Sequence, residues 1–453
     1  MSTTTLAIVV LLAGFALLMI LRVPVTFSLL LATCACAMVT GTNLTVMMRQ
    51  MMDGVNNFSL LAIPFFILMG EIMSAGRISE KIVDLANLAV GRFRGGLAYV
   101  NCLDSMFFGG ISGSAVADVS SLGSVVVPMM TKAGYTPEFS VGLTVVTACQ
   151  GVLIPPSHNM VIYALAAGTG VSIGDMFLGG VIPGVMLGCT LMALCCMLRH
   201  RYNFPKGGRF GGDAKDRWKI CLVEVNGKKK LYAGICVRVI VNAILPMMTL
   251  VIIMGGVAGG IFTVTESSAI ACVYTFILTY VVFRTAKLRD FGHVLKNSLK
   301  TLAIVMTLLA TAKAFAYMMT ELRIPAMITN ALMTVTTNRI LLLLIINALL
   351  LIMGCFMDMA PLILIMTPIL LPVATSELIG MHPIHFGVMM IFNLAIGLCT
   401  PPVGSALFVG CAVGKTTLEK TSIAMLPMFL VMVACLILVT FIPALTLWIP
   451  GLL

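Results

Sequence analysis

Apart from one polar stretch at residues 199–231, the chain is apolar from end to end, and this continuity restricts its fold more than any motif does. With 60% hydrophobic and 10% charged residues, it has far more apolar surface than a soluble domain can hide. That excludes an ordinary cytosolic enzyme. A crossing needs roughly 20 apolar residues, so a chain of this length supplies about ten to fourteen membrane-embedded segments. The expectation is an all-α polytopic membrane protein.

The opening run Leu6–Leu21 follows only Ser and Thr, lacks a positive leader and a small-residue cleavage pattern, and ends at Arg22 and Pro24. It reads as a retained first span, not a signal peptide. The 14 cysteines form no C-x-x-C pair, and Cys34, Cys189 and Cys435 sit inside apolar runs, so neither a disulfide framework nor a zinc site is expected. The net charge of +11 is unevenly spread: residues 199–230 hold ten Lys/Arg against three Asp/Glu, and residues 284–300 hold five against one. Basic residues gathered between apolar spans follow the positive-inside rule and place both connections on the cytoplasmic face. The charge reports topology in a lipid bilayer, with no nucleic-acid partner.

Two membrane repeats, 1–198 and 232–453, flank the basic polar linker 199–231. Gly134, Pro137, Gly151, Pro155 and Pro156 recur 246 positions later as Gly380, Pro383, Gly397, Pro401 and Pro402. Asp118 and Pro128 recur at an offset of 240 as Asp358 and Pro368. A six-residue difference in the intervening connection reconciles the two registers, and an internal duplication explains both.

The matched regions are poor continuous helices. Gly109, Gly110, Ser112, Gly113 and Ser114 put a flexible, hydroxyl-rich stretch at membrane depth, where backbone leaves helical geometry only if protein or a water-filled cavity satisfies it. A re-entrant hairpin at about 96–125 accounts for them; a close packing interface of small residues is the plainer reading. Pro155 and Pro156 remove two backbone donors and break a helix at about 140–165. The second half repeats the plan, with a hairpin at about 340–372 and a helix broken at Pro401 and Pro402, about 386–412. Paired broken segments are the best sequence pointer to a transport site.

Half-helix N-termini attract anionic groups and free carbonyls attract cations, so one geometry holds a carboxylate and sodium together. Ser112, Ser114 and the carbonyls of Gly151, Ile154 and Pro156 are placed to form a first sodium site. Gly354, Gly397, Thr400 and Val403 are placed to form a second. Ser112, Gly113, Asp118, Ser157, Asp358 and Pro401 are the substrate-site candidates. Asp118 and Asp358 either take part directly or cap the helix beyond the hairpin tip. Asp104, Glu266 and Lys313 also lie within apolar runs, where they pair locally or face a cavity. No organic cofactor is expected, only sodium as coupling ion.

Three other patterns compete. Gly110-Ile111-Ser112-Gly113 with His158 matches the G-x-S-G of rhomboid-like intramembrane serine proteases, with Ser112 as nucleophile and His158 as base. The second half offers Gly354-Cys355-Phe356-Met357, without a serine, and a protease gives no reason for a second pair of breaks. Gly410 to Thr416 imitates a phosphate-binding loop but is one residue short and lacks the soluble strand–helix unit. His382 and His385 are three apart, yet Pro383 interrupts the helix that would align them on a metal.

Gly109-Gly-Ile-Ser-Gly-Ser-Ala-Val-Ala-Asp118, Ile154-Pro-Pro-Ser157 and Thr400-Pro-Pro-Val-Gly404 resemble the large membrane subunit, DctM-type, of TRAP (tripartite ATP-independent periplasmic) transporters. Pro64–Met73, Arg94–Leu97, Gly260–Thr263 with Glu266, and Phe386–Gly397 extend the likeness over most of the chain. The resemblance implies a non-enzymatic, sodium-coupled importer of organic acids in the bacterial inner membrane. It implies two partners, a periplasmic substrate-binding protein and a small four-helix membrane subunit. It also implies an inverted-repeat elevator, in which a domain holding both hairpins and both broken helices carries the site across the bilayer past fixed scaffold helices. The family's sodium sites fall on the residues already singled out from the breaks. A stand-alone sodium–carboxylate symporter shares this layout and is the alternative. Two features depart from the family pattern: Asp104 stands where a small apolar residue is expected, and the linker carries a hairpin-like stretch, Ile220 to Lys228.

Overall fold

The computed structural model describes residues 3–91, 93–168, 170–201, 204, 222–225, 228–231 and 233–452. Apart from one pair of strands in the linker, its regular structure is helical, the solution that satisfies every backbone group inside a bilayer. Among the described residues, seven helices are long and apolar enough to cross a membrane: Thr3–Ile20, Phe58–Ala75, Ile173–Arg199, Val237–Ala258, Val264–Val282, Leu288–Glu321 and Leu418–Phe441. An eighth span results if Pro137–Leu153 and His158–Ala167, bent by 47° at their break, count as one. The remaining apolar helices are 10–17 residues long, too short at 1.5 Å per residue to traverse the hydrocarbon core alone. The sequence expectation of ten to fourteen embedded segments thus divides into full spans and half-length pieces, because the Gly and Pro breaks cut the latter short.

Apart from Val25–Thr40, the pieces form two helix–turn–helix units and two broken helices. Gly96–Ser112 turns at Gly113, in the left-handed region (φ +63°), into Ala115–Ser121 and Gly123–Lys132, several residues beyond the expected end at 125. Its counterpart is Arg339–Gly354 followed by Met359–Ala374. The broken helices are Pro137–Leu153 with His158–Ala167, and Pro383–Gly397 with Ser405–Gly414. Both proline doublets hold a cis bond.

The recurrence at offset 246 has a structural meaning at each end. Gly134 (φ +100°) and Gly380 (φ +59°) both take backbone conformations that favour glycine. Pro137 and Pro383 both occupy a first helical position, where a missing N–H costs nothing. The two broken helices then cross at equivalent points: the Cys149 thiol donates to the Ala395 carbonyl at 3.1 Å, and these residues are 246 apart. Contact between equivalent residues marks a local two-fold relation. The Cys149 and Cys399 sulfurs lie 2.8 Å apart at this crossing.

Helices from the start and middle of the chain pack on one another: Thr3–Ile20 with Val25–Thr40, Val25–Thr40 and Leu44–Val55 with Phe291–Glu321, and Ala62–Ala75 with Val264–Ile277. Helices of the hairpins and breaks form a second set around Pro137–Leu153, which has a fully buried run from Phe139 to Leu153. That helix is zipped to Gly96–Ser112 by side chains. Asn101 Nδ2 donates to Thr144 Oγ1 at 2.8 Å, Thr147 Oγ1 donates to Asn101 Oδ1 at 3.2 Å, Ser105 Oγ donates to Thr147 Oγ1 at 3.1 Å, and Gln150 Nε2 donates to the Cys102 carbonyl at 2.6 Å. Asn101→Ala removes two of these bonds and is expected to lower stability by about 1–2 kcal/mol, read as a fall in thermal midpoint in detergent. An unchanged midpoint would show that the ladder does not hold the arm.

The hairpin-like stretch of the linker has a counterpart in strands Leu222–Val225 and Lys228–Leu231, which pair antiparallel with Leu222 opposite Leu231 and Val225 opposite Lys228. Most of the basic stretch, including residues 205–221, 226 and 227, lies outside the described residues.

Candidate transport site

In the first half the hairpin tip closes onto the helix break through glycine. Gly109 and Gly151 approach so closely that a Cβ on Gly151 would stand 2.5 Å from the Gly109 Cα, and a Cβ on Gly109 would collide with the Gly151 Cα. A Cβ on Gly110 would meet the Pro155 carbonyl at 2.9 Å, and one on Gly113 the Pro156 carbonyl at 2.9 Å. Only glycine permits this backbone-to-backbone seating. It brings Ser112, Gly113, Gly151, Pro156, Ser157 and Asp118 to one place. Ile154 turns its side chain toward Gly110 and Gly184.

The Ser112 hydroxyl donates to Asp118 Oδ1 and accepts from the Ser114 N–H at 3.3 Å. Asp118 is fully buried, and its Oδ2 has no hydrogen-bond partner while lying against Gly109 and Gly151. Asp118 does not cap the outer arm. Ser114 does, accepting from the Ala117 N–H at 3.4 Å, and Asp118 stands in the first turn beyond it. A hydroxyl, a carboxylate oxygen and nearby carbonyls at a water-poor junction form the all-oxygen environment that a hard cation requires.

The second half repeats the seating with a different tip. A Cβ on Gly397 would stand 2.7 Å from the Gly354 Cα and carbonyl carbon. The Val403 N–H donates to the Cys355 carbonyl at 3.2 Å, and the Thr400 hydroxyl lies 3.0 Å from the Cys355 thiol and donates to the Gly397 carbonyl at 2.9 Å. All four residues expected at the second ion site therefore meet. Asp358 occupies the N-cap position of Met359–Ala374 without a side-chain capping bond, is exposed, and accepts a long bond of 3.5 Å from Ser405 Oγ. The two acids match in sequence but not in setting. Asp118 lies nine positions beyond Gly109 and Asp358 only four beyond Gly354, so the shorter second tip leaves its acid on the rim.

Each half-helix beyond a break starts without a side-chain cap. The N-terminus of His158–Ala167 has Ser157 in the cap position with its Oγ buried and unpartnered; Ser405–Gly414 begins at Gly404. Open, positive helix ends of this kind accept anionic groups. Pro401 is exposed beside the second of them.

Several side chains not singled out from the sequence belong to the same region. Asn159, 4% exposed, keeps its Oδ1 unpartnered one residue into the first half-helix. Asn393 donates to Asn347 Oδ1 at 2.9 Å, tying the second hairpin to the second broken helix as Asn101 does in the first half. Their signal was an amide inside an apolar run.

Other candidates have local explanations. Ser112 bonds Asp118 and not His158, so no nucleophile–base pair forms. Gly414 ends a helix and Lys415 (φ +53°) caps it, which presents carbonyls, the wrong end for a phosphate. His382 accepts from the Ile384 N–H as an N-cap, while His385 is fixed by Thr446 at 2.6 Å and the Thr440 carbonyl at 3.2 Å. Glu266 closes a capping box with Thr263. Lys313 lines two cavities, of about 720 and 110 Å³.

Two sets of packed helices, with paired tips and breaks at a two-fold crossing, define a polytopic membrane transport protein, not an enzyme. The family described as "Tripartite ATP-independent periplasmic transporter, DctM component" matches residues 12–445, and the chain belongs to it. The chain is 38% identical to the uncharacterized protein YgiK of Salmonella typhimurium, over 98% of this chain and 97% of that one. It is 35% identical to the sialic acid TRAP transporter large permease protein SiaM of Vibrio cholerae, covering 97% of each. Among solved structures, the YdaH transporter of Alcanivorax borkumensis aligns over 90% of this chain and 89% of its own, with a TM-score of 0.61 at 12% identity, a likeness of fold.

Proposed function

We propose that the chain carries an organic acid across the bacterial inner membrane, coupled to sodium, as the large subunit of a three-part transporter. A periplasmic binding protein delivers the acid, and a small four-helix membrane subunit completes the membrane assembly. Relatives bear names for sialic acid, isethionate, 2,3-diketo-L-gulonate and C4-dicarboxylates. What these solutes share is an acid group carrying negative charge, and uncapped half-helix N-termini suit that feature more than any particular skeleton.

The observation that carries the reading is the pair of tip-on-break junctions joined where Cys149 meets Ala395. One sodium sits at Ser112, Ser114, Gly151, Ile154 and Pro156, the other at Gly354, Gly397, Thr400 and Val403. The acid group lies between them, toward Ser157, Gly113 and Pro401, with Asp118 supporting the first tip and Asp358 at the rim. Bound sodium draws each tip onto its break and adds positive charge for the solute. The helix set holding both junctions then moves as one body past the set built on Phe291–Glu321, an elevator that exposes the site to alternate sides.

Reconstitution with a small membrane subunit and a periplasmic binding protein of the same family tests it, using radiolabelled succinate, sialic acid, isethionate and 2,3-diketo-L-gulonate as probes. Uptake is expected only with sodium outside and all three parts present. Uptake by this chain alone would favour a stand-alone symporter. Ser112→Ala and Thr400→Val each remove about 1 kcal/mol of ligation and are expected to raise the sodium concentration for half-maximal uptake about fivefold. Unchanged sodium dependence in both variants would contradict the two ion sites.

A further inference from the structure

One cation of the fixed helix set stands at the boundary with the moving set and holds nothing. Lys313 lies on Phe291–Glu321, eight residues before its end, is exposed, and among the described residues makes no hydrogen bond or ion pair. Its stem is seated on Leu44–Val55, where a Cβ on Gly54 would stand 2.7 Å from the Lys313 Cβ. Reaching toward water explains a lysine near a helix end, but not what faces this one.

The cavity of about 720 Å³ gathers one end of each of four spans: Phe58 starts Phe58–Ala75, Ile173 starts Ile173–Arg199, Ala258 ends Val237–Ala258 and Val264 starts Val264–Val282. The far ends of the last three lead into the two basic connections, which belong on the cytoplasmic face. The cavity is therefore periplasmic, and at 1.5 Å per residue Lys313 lies about 12 Å below the periplasmic end of its helix. In the smaller cavity Lys313 meets Leu165 and Ala166 of the first half-helix and Leu364 of the second hairpin, all in the set that holds the junctions. Leu165 is eight residues beyond Ser157 and Leu364 six beyond Asp358, each toward the periplasm. Both helices thus place the junctions roughly 9–12 Å further in than the residues now beside Lys313. A slide of that size toward the periplasm brings Ser157 and the second tip level with it. Two acids share these cavities without pairing with Lys313: Asp53 on Leu44–Val55, and Asp175 on Ile173–Arg201, which packs on both broken helices and leaves with them.

We propose that Lys313 binds the acid group of the solute in the outward-facing state. The inference rests on the transport reading above and deepens it. The lysine ammonium donates to the solute carboxylate or sulfonate while the uncapped half-helix end at Ser157 is alongside, so the anion is held from the fixed and the moving side together. When the moving set returns inward, the solute leaves this contact and Leu165 and Leu364 come to face Lys313, as they do here.

Cross-linking in membranes tests the placement. Lys313→Cys and Ser157→Cys are combined in a Cys149→Ala background, which removes the native thiol contact between Cys149 and Cys399. A protease site in the linker then reports whether the two halves stay joined, with each single-cysteine chain as blank. Mercury ions are expected to join the halves of the complete transporter under a sodium gradient; halves that separate as in the blanks overturn the placement. In proteoliposomes with the four probes named above, Lys313→Gln is expected to lower uptake of each probe carried by wild type about tenfold, the loss of one charged contact, while Lys313→Arg keeps most of it. Wild-type uptake in Lys313→Gln, or equal losses in both variants, overturns the binding role. Failure of wild type with every probe counts against the transport reading, and the cross-link then still decides whether Lys313 meets the first break.

Discussion

Gly151→Ala is expected to abolish uptake and lower the thermal midpoint of the protein. The added methyl would stand 2.5 Å from the Gly109 Cα and 2.7 Å from Asp118 Oδ2. Neither can retreat cheaply, because one is backbone and the other is tied by the Ser112 hydroxyl. Separating the tip from the break costs on the order of 1–3 kcal/mol as overpacking and also opens the junction at which ion and solute are proposed to bind. Gly397→Ala, which meets Gly354 backbone at 2.7 Å, is expected to do the same in the second half. Gly14→Ala is the control, since nothing lies within 4 Å of its new methyl and alanine is the better helix former. Wild-type uptake in Gly151→Ala would mean that the junction is not closed as described.

Asp118→Asn and Asp358→Asn are expected to differ widely despite their matched positions. Asp118 is buried and accepts from Ser112; an amide there weakens that bond and leaves a buried donor without an acceptor, a cost of about 1–3 kcal/mol that corresponds to about a 5- to 150-fold fall in uptake. The amide would also turn a donor toward the glycine seat. Asp358 is exposed and holds Ser405 only at 3.5 Å, so its substitution is expected to cost less than about fivefold. Equal losses would contradict the asymmetry and restore a shared role for the two acids. Uptake at saturating sodium, with surface expression measured for each variant, makes the comparison.

Much of this arrangement was legible in the amino-acid sequence because it rests on residues with restricted backbones. The proline doublets announced the breaks, and Gly134, Pro137 and their copies announced where each broken helix starts. The acids were less legible. Their offset of 240 suggested equivalence, but the seat glycines, Gly109 and Gly354, are 245 apart, and sequence spacing alone does not say which glycine touches the opposite helix. Asn101, Asn347 and Asn393 were missed because their partners lie 43 to 93 residues away, where no local pattern reaches. Glu266 had a local pattern, Thr263-Val-Thr-Glu266, and its capping box was readable without any cavity.

The most direct measurement is cryo-EM of the chain with its membrane partner in nanodiscs, once in sodium and once in choline. Density is expected in sodium within both junctions, beside Ser112 and Gly151 and beside Thr400 and Gly397, with each tip drawn back from its break in choline. Empty junctions and unchanged tips in both conditions would contradict the claim that ion binding at the paired tips and breaks is what drives transport.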